Sequence, residues 1–194
     1  VADTKAADRV GGADRNMDFV KQMQQQALVL LKNENNILPL DKRQIKKVLV
    51  TGPLADEDNF MTSRYGPNGL ETVTVLAGLR NYLKGIAEVD YAKGCDIVDA
   101  GWPATEILPA PMSEQEKQGI AEAVAKAGES DVIIAVLGED EYRTGESRSR
   151  TSLDLPGRQQ QLLEALHATG KPVILVLICL LYTSPSPRDI SGSR

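Results

Sequence analysis

The chain has 194 residues and is 42% hydrophobic but only 4% aromatic, which suits one domain of ordinary size with a mainly aliphatic core. Its formal net charge of −5, with no cluster of lysines and arginines, argues against a nucleic-acid-binding surface. No apolar run approaches the ~20 residues that a membrane-spanning helix requires, so we expect no membrane partner.

Cysteine and histidine are too scarce for several kinds of site. Cys95 and Cys179 have neither C-x-x-C spacing nor the spacing of metal ligands, and we expect two unpaired thiols. The single histidine, His167, falls near the end of a predicted helix, and no G-x-S-x-G motif accompanies it. These features exclude a histidine-rich metal centre and disfavour a serine triad. No cofactor is predicted.

The amino-terminal part of the chain predicts a linker followed by a helix. Residues 1–17 are mostly polar and contain a glycine pair, as linkers often do. Asp18 can cap a helix that runs to about Asn33, and Pro39 ends this region. The apolar residues of this helix fall on one face: Phe19, Met23, Ala27, Leu30 and Leu31.

Beyond this region, short apolar strands alternate with amphipathic helices. The predicted strands cover residues 46–52, 88–94, 132–137 and 173–177. The second strand is the least hydrophobic and is expected near an edge of the sheet. The predicted helices begin at residues that suit a first turn: Thr72, Ser113 and Pro156. Ser113 with Glu116 makes a capping box. This alternation predicts an α/β fold, a three-layer α/β/α sandwich with a mainly parallel sheet.

The most informative stretch is residues 131–157, DVIIAVLGEDEYRTGESRSRTSLDLPG. Its short, β-branched apolar run predicts a strand that is buried on both faces. Gly138 ends the strand, and a highly charged loop follows. The charged residues of this loop are Glu139, Asp140, Glu141, Arg143, Glu146, Arg148 and Arg150. Because ligands of open α/β sheets bind at the carboxyl ends of strands, this loop is a candidate site.

Three segments of the chain resemble glycoside hydrolase family 3, the β-glucosidase and β-xylosidase family. Residues 145–159, GESRSRTSLDLPGRQ, are similar to the acid/base loop of that family. Residues 27–40, ALVLLKNENNILPL, are similar to the segment that leads into its second domain. Residues 169–177, TGKPVILVL, are a third segment that agrees with the resemblance to this family. The resemblance covers roughly residues 18–177, and the loop and the leading segment are specific in combination.

The resemblance implies that residues 18–177 form the second domain of such an enzyme, an incomplete (α/β)6 sandwich. Residues 1–17 are then a linker. The family's catalytic (β/α)8 barrel takes ~250 residues and has no room in this chain. Residues 178–194 become rich in serine, proline, arginine and glycine, and we expect a non-native or disordered tail there.

The resemblance also implies roles for particular residues. It places the acid/base glutamate of a retaining exo-acting β-glycosidase at Glu146, with Glu139 and Glu141 as alternatives. The nucleophilic aspartate would lie on the absent barrel. The residues expected to bind substrate or to line the cleft are Arg64, Tyr65, Arg148 and Arg150. For Arg148 and Arg150, two alternatives remain: holding the loop against the other domain, and surface ion pairs. Trp102 is expected to hold its own proline-rich loop rather than to stack on a sugar.

The implied substrates are β-linked oligosaccharides or aryl glucosides, and the sequence does not distinguish glucosides from xylosides. The family implies a periplasmic or secreted location. Two other functions stay open, a nucleotide-binding α/β domain and a non-catalytic carbohydrate-binding module. For nucleotide binding, the chain lacks the usual glycines of a phosphate-binding loop, since neither G-x-G-x-x-G nor G-x-x-x-x-G-K-[ST] is present.

Overall fold

The computed structural model of the chain describes residues 16–58, 72–144 and 147–178. The chain divides into two compact units, residues 1–39 and 40–194. The first unit contains helix α1 (Met17–Ala27) and a 3-10 turn at Glu34–Asn36. In chain order, the second contains β1 (Lys47–Thr51), α2 (Val75–Tyr82), β2 (Glu88–Ala92), α3 (Ala104–Ile107), α4 (Glu114–Gly128), β3 (Val132–Gly138), α5 (Gln159–His167) and β4 (Val173–Ile178).

Helix α1 is shorter than the sequence predicts. It begins at Met17, so Asp18 lies in its first turn rather than at its cap, and it ends at Ala27 because Leu28 adopts an extended conformation. Asn33 belongs to a separate turn. Its side-chain amide donates to the carbonyl of Leu38 at 2.8 Å, and its oxygen accepts from the Leu38 N–H at 3.0 Å. These local hydrogen bonds compete with helix continuation.

All the described strands of the second unit form one parallel sheet, in the order β2-β1-β3-β4. The register pairs Val48 of β1 with Val132 of β3, and Ile133 of β3 with Val173 of β4. The predicted parallel α/β sheet is therefore confirmed, as is the edge position of β2. Strand β3 is buried along its whole length, as its uninterrupted apolar sequence predicts.

Helices cover both faces of the sheet because alternate strand residues point to opposite sides. On one face, Leu49 and Ile133 pack with the α4 residue Ala123 and the α5 residue Leu162. On the other face, Val50 and Ile134 belong to the cluster that contains Leu76 of α2. The result is the predicted α/β/α layering. None of the helices in the described ranges is long and apolar enough to cross a membrane.

The beginnings of two helices differ from the prediction. Helix α2 is capped by Thr74, whose hydroxyl accepts from the Ala77 N–H at 3.1 Å, while Thr72 donates to Asp58 instead. Helix α5 begins at Gln159 rather than Pro156. Gly157 has a φ of +63°, and a Cβ there would lie 2.7 Å from the Cα of Val98, so a tight turn precedes the helix.

The predicted capping box of α4 is present. The Ser113 hydroxyl accepts from the Glu116 N–H at 3.2 Å, and the Glu116 carboxylate accepts from the Ser113 N–H at 2.6 Å. The segment between β2 and α4 contains one short helix, α3. This segment crosses the same end of the sheet as the loop that follows β3.

Candidate functional site

The carboxyl ends of β1 and β3 form the crevice at which an open parallel sheet reverses its strand order. The chain leaves β1 for β2 on one side and returns to β3 on the other, so the two exit loops diverge there. Gly52 follows β1 with a φ of +111°, and a Cβ at this position would lie only 2.1 Å from the carbonyl oxygen of Val136. Glycine therefore permits a close approach of the two strand ends.

The loop after β3 begins with two buried carboxylates. Glu139 is 1% exposed and forms an ion pair with Arg150. Asp140 is 7% exposed and forms an ion pair with Arg143. Both pairs connect the end of the strand to residues farther along the same loop.

Arg150 joins three separate segments of the chain. Besides its pair with Glu139, its Nε donates to a Glu106 carboxylate oxygen at 3.0 Å, and its Nη2 donates to the Asp154 carbonyl at 2.8 Å. Its guanidinium also lies over the ring of Trp102, 5.3 Å from the centroid. Only 4% of the Arg150 side chain is exposed, so it does not form a surface ion pair.

Arg158 connects the end of the loop to the beginning of α4 and to the segment before it. Arg158 donates to Glu116 at 3.0 Å and to the Ala110 carbonyl at 3.0 Å. Burial alone would raise the pKa of Glu116, but the Ser113 N–H and the Arg158 guanidinium hold this pKa below its usual value. The carboxylate therefore stays charged in its partly buried setting.

The fully buried side chain of Gln159 closes the base of the loop. Its oxygen accepts from the Gly138 N–H at 2.8 Å, and its amide nitrogen donates to the Gly138 carbonyl at 2.8 Å. The same nitrogen contacts the carbonyls of Ile97 at 3.0 Å and Pro156 at 3.1 Å. One side chain thus holds the beginning and the end of the loop together.

The predicted site residues are placed as follows. Glu146, Arg64 and Tyr65 lie outside the described residues. Arg148 is exposed, whereas Arg150 is buried in the cluster with Glu139 and Glu106. The structure thus separates the two arginines that the sequence groups together.

The described part of the loop also distinguishes the two alternative acids. Glu139 is buried against Arg150 and is not accessible to a substrate. Glu141 is only half-buried and could reach one. Trp102 contacts Arg150 of the loop after β3, so the expectation that this tryptophan holds its own loop stays a prediction.

Two cavities border these residues. A smaller one of about 180 Å3 is lined by Trp102, Glu106, Arg150 and Asp154, among others. A larger one of about 470 Å3 opens beside the ends of β1 and β2 and is lined in part by Asp56, Tyr91, Lys93, Asp96 and Arg143. Within residues 16–58, 72–144 and 147–178, no cluster of histidine, cysteine and carboxylate side chains could hold a metal ion.

Sequence reasoning missed Arg158 and Gln159 as residues that shape the site. Both belong to the segment LPGRQ that carries the resemblance, but in the sequence they look like ordinary polar residues at the start of a helix. Most of their partners are far away in the chain, 21 positions for Gly138 and 62 for Ile97. The signal that could have found them is an invariant position in related sequences rather than hydrophobic periodicity.

Cys95 is a buried, unpaired thiol, and burial raises its pKa to about 12. In a Cys179→Ser background, we expect native Cys95 to react with Ellman's reagent at pH 8 on the order of 10³-fold more slowly than in urea, because only the thiolate reacts. Stability should also fall as the pH rises from about 9 towards 12, since the unfolded thiol ionises first. Equal rates in the native and the unfolded chain would contradict this burial.

Comparison with known proteins supports the resemblance. Residues 28–182 match the glycosyl hydrolase family 3 C-terminal domain. A β-xylosidase from Formosa agariphila is 38% identical over 173 residues, covering 86% of this chain and 22% of its own. A periplasmic β-glucosidase from Salmonella typhimurium is 37% identical over 167 residues, covering 81% of this chain and 21% of its own.

Solved structures of similar enzymes share the fold of this chain. A β-glucosidase structure from Erythrobacter marinus superimposes with a TM-score of 0.75 at 35% identity, over 91% of this chain and 25% of that one. A family 3 exo-β-xylosidase superimposes with a TM-score of 0.67 at 28% identity, over 83% of this chain and 18% of that one. The chain therefore spans about a fifth of the length of the curated relatives that it matches.

Proposed function

This chain belongs to glycosyl hydrolase family 3, as its C-terminal domain, and on that premise we propose that it is the second domain of a retaining exo-acting β-glycosidase. The proposed reaction is the hydrolysis of terminal β-D-glucosyl residues. Glu146 is the proposed acid/base residue, and Arg64, Tyr65 and Arg148 are proposed to line the cleft. The observation that carries the proposal is the position of the family-like loop, directly after β3 at the switch point of the sheet.

Retaining glycoside hydrolysis requires two carboxyl groups about 5–5.5 Å apart. One protonates the departing oxygen, and the other attacks the anomeric carbon. The loop after β3 supplies the first of these in our proposal. The second is proposed to come from the part of the enzyme that corresponds to the uncovered four-fifths of its relatives, where a (β/α)8 barrel carries the nucleophile.

The buried pairs of the loop leave few other acids for this role. Glu139 is bound to Arg150, and Asp140 is bound to Arg143. Glu141 and Asp154 are the remaining described carboxylates of the loop that a substrate could contact. Glu146 is preferred to Glu141 because it occupies the position of the family's glutamate, between a glycine and the run of serines and arginines.

A β-xylosidase of the same family is the second candidate, because the β-xylosidase and the β-glucosidase relatives are almost equally similar, at 38% and 37% identity. A periplasmic or secreted location is also proposed, and one relative is described as periplasmic. Neither point is decided by the loop, since the residues that would contact the terminal sugar are proposed to lie mainly on the barrel.

We expect the full-length enzyme, but not residues 1–194 alone, to release p-nitrophenol from p-nitrophenyl β-D-glucoside. The isolated chain contributes only one of the two carboxyl groups, so its rate should not exceed that of the buffer. Proton NMR should show the β-anomer of glucose as the first product, and the β-xyloside should be hydrolysed more slowly.

Three results would revise the proposal in different ways. Faster cleavage of the β-xyloside would select the second candidate. Hydrolysis by the isolated chain at the full-length rate would show that the site is complete without a barrel. Sugar binding without turnover in the full-length protein would indicate a non-catalytic module.

A further inference from the structure

We propose that Arg150 is a positioning residue for proton transfer, because its guanidinium fixes one arm of the loop that carries the proposed acid. This inference rests on the proposed role of Glu146. It assigns to Arg150 a function in the reaction without contact to the sugar. The sequence left three roles open for this arginine: binding to the sugar, holding the loop against the other domain, or a surface ion pair.

The contacts of Arg150 hold its backbone in one place. Glu139 lies at the end of β3, Glu106 lies in α3, and the Asp154 carbonyl lies farther along the loop. Trp102 covers the guanidinium from a further direction. A planar guanidinium with five N–H groups satisfies several acceptors in fixed directions, which a lysine ammonium cannot reproduce.

The other arm of the loop is fixed at a neighbouring point. Thr144 is 3% exposed, and its hydroxyl donates to the carbonyl of Asp140 at 2.9 Å. Arg150 is paired with Glu139, the residue immediately before Asp140. Both arms therefore return to two consecutive residues at the exit of the buried strand β3.

Between these anchors the described residues face solvent. Ser147, Arg148 and Ser149 are all exposed, in contrast to Thr144 and Arg150. The segment that contains position 146 is thus bracketed by two buried attachments to the rigid sheet. This arrangement can set the distance between a side chain of the loop and a substrate without burying that side chain.

The energetics of the cluster favour a geometric role over a stabilising one. Buried ion pairs cost several kcal/mol per ion in desolvation, and apolar residues of similar volume often replace them without loss of stability. The Arg150 guanidinium forms ion pairs with two carboxylates, Glu139 and Glu106, so both of its charged partners lie within the cluster. A displacement of only about 1 Å at a reacting group can lower a rate by about 10²-fold.

The test compares Arg150→Lys with the control Arg80→Lys in the full-length enzyme, because Arg80 is an exposed arginine in the last turn of α2. Each variant is assayed with phenyl β-glucoside, whose leaving group needs a proton, and with 2,4-dinitrophenyl β-glucoside, whose leaving group does not. We expect Arg150→Lys to lower kcat/KM for the phenyl substrate about 10-fold to 100-fold more than for the dinitrophenyl substrate. Arg80→Lys should change this ratio by less than about 2-fold.

A merely structural role predicts a different outcome. Loss of folded protein lowers both rates equally and leaves their ratio unchanged, and this result would overturn the inference. If Arg150→Lys does not fold, Glu106→Gln removes one partner only, and it should shift the ratio in the same direction by a smaller factor. An unchanged ratio in Glu106→Gln would then count against the inference.

Glu146→Gln, assayed beside these variants, separates the two claims. If it changes the ratio strongly while Arg150→Lys does not, the proposed acid stands and the positioning role of Arg150 fails. If Glu146→Gln leaves the ratio unchanged, the proposed function itself fails.

Discussion

Replacing Glu146 with glutamine in the full-length enzyme is expected to lower kcat/KM for phenyl β-glucoside by about 10²-fold or more. General acid catalysis contributes on the order of 10² to 10⁴ in rate, and glutamine cannot donate a proton to the departing phenolate. The loss should be much smaller with 2,4-dinitrophenyl β-glucoside, whose leaving group departs as a stable anion. Steady-state kinetics with the two substrates measure both effects.

Glu141→Gln is the matched control for this prediction. Glu141 lies on the same loop, is half-buried, and is a described carboxylate that a substrate could reach. It should keep most of the activity towards both substrates. Should Glu141→Gln lose the phenyl activity while Glu146→Gln keeps it, the acid would have to be reassigned to Glu141.

Replacing Gln159 with leucine is expected to lower the free energy of unfolding by about 3 kcal/mol or more. The side chain is fully buried and satisfies both backbone groups of Gly138, and it also contacts the carbonyls of Ile97 and Pro156. Each buried polar group that is left without a partner costs about 1–3 kcal/mol. Leucine has a similar volume but can form none of these hydrogen bonds.

Gln160→Leu provides the control for Gln159→Leu, because Gln160 is the next residue, is exposed, and donates from its side-chain amide to the Glu164 carboxylate at 2.9 Å. Its effect should stay within about 0.5 kcal/mol. Urea-induced unfolding of the two variants, followed by circular dichroism, measures the difference. Similar midpoints for both variants would show that the Gln159 side chain does not hold the loop closed.

The strands could be predicted from the sequence because their signal is local. The run from Val132 to Leu137 is apolar at every position, and the structure buries each of these residues. The capping box at Ser113 and Glu116 is likewise encoded within four consecutive residues, and it forms as predicted. Where local preference and tertiary packing agree, the fold follows from the pattern.

The boundaries of two helices, α5 and α1, could not be predicted from apolar periodicity and helix-start residues. Proline at position 156 favours a first helical turn, but Gly157 packs against the backbone of Val98, and the helix begins only at Gln159. The apolar pattern of α1 continues to Leu31, whereas the helix ends at Ala27. Propensity is a weak guide where an extended conformation or a turn is stabilised by other contacts.

The location of the charged loop after β3 could be predicted from the sequence, but the ion pairs within the loop could not. The charged loop after β3 follows from the strand and from the resemblance. The burial of Arg150 does not, because its partner Glu106 is 44 positions away in the chain, and arginines are usually exposed. Charge composition alone therefore cannot separate the buried Arg150 from the exposed Arg148.

The most direct measurement is the product that the full-length Glu146→Ala variant forms from 2,4-dinitrophenyl β-glucoside in the presence of azide. An enzyme that lacks its acid/base still forms the glycosyl–enzyme ester, and azide can break the bond between this ester and the anomeric carbon without a general base. The account predicts an azide-dependent rise in rate and β-glucosyl azide as the product. Glucose alone, formed at an azide-independent and undiminished rate, would contradict it.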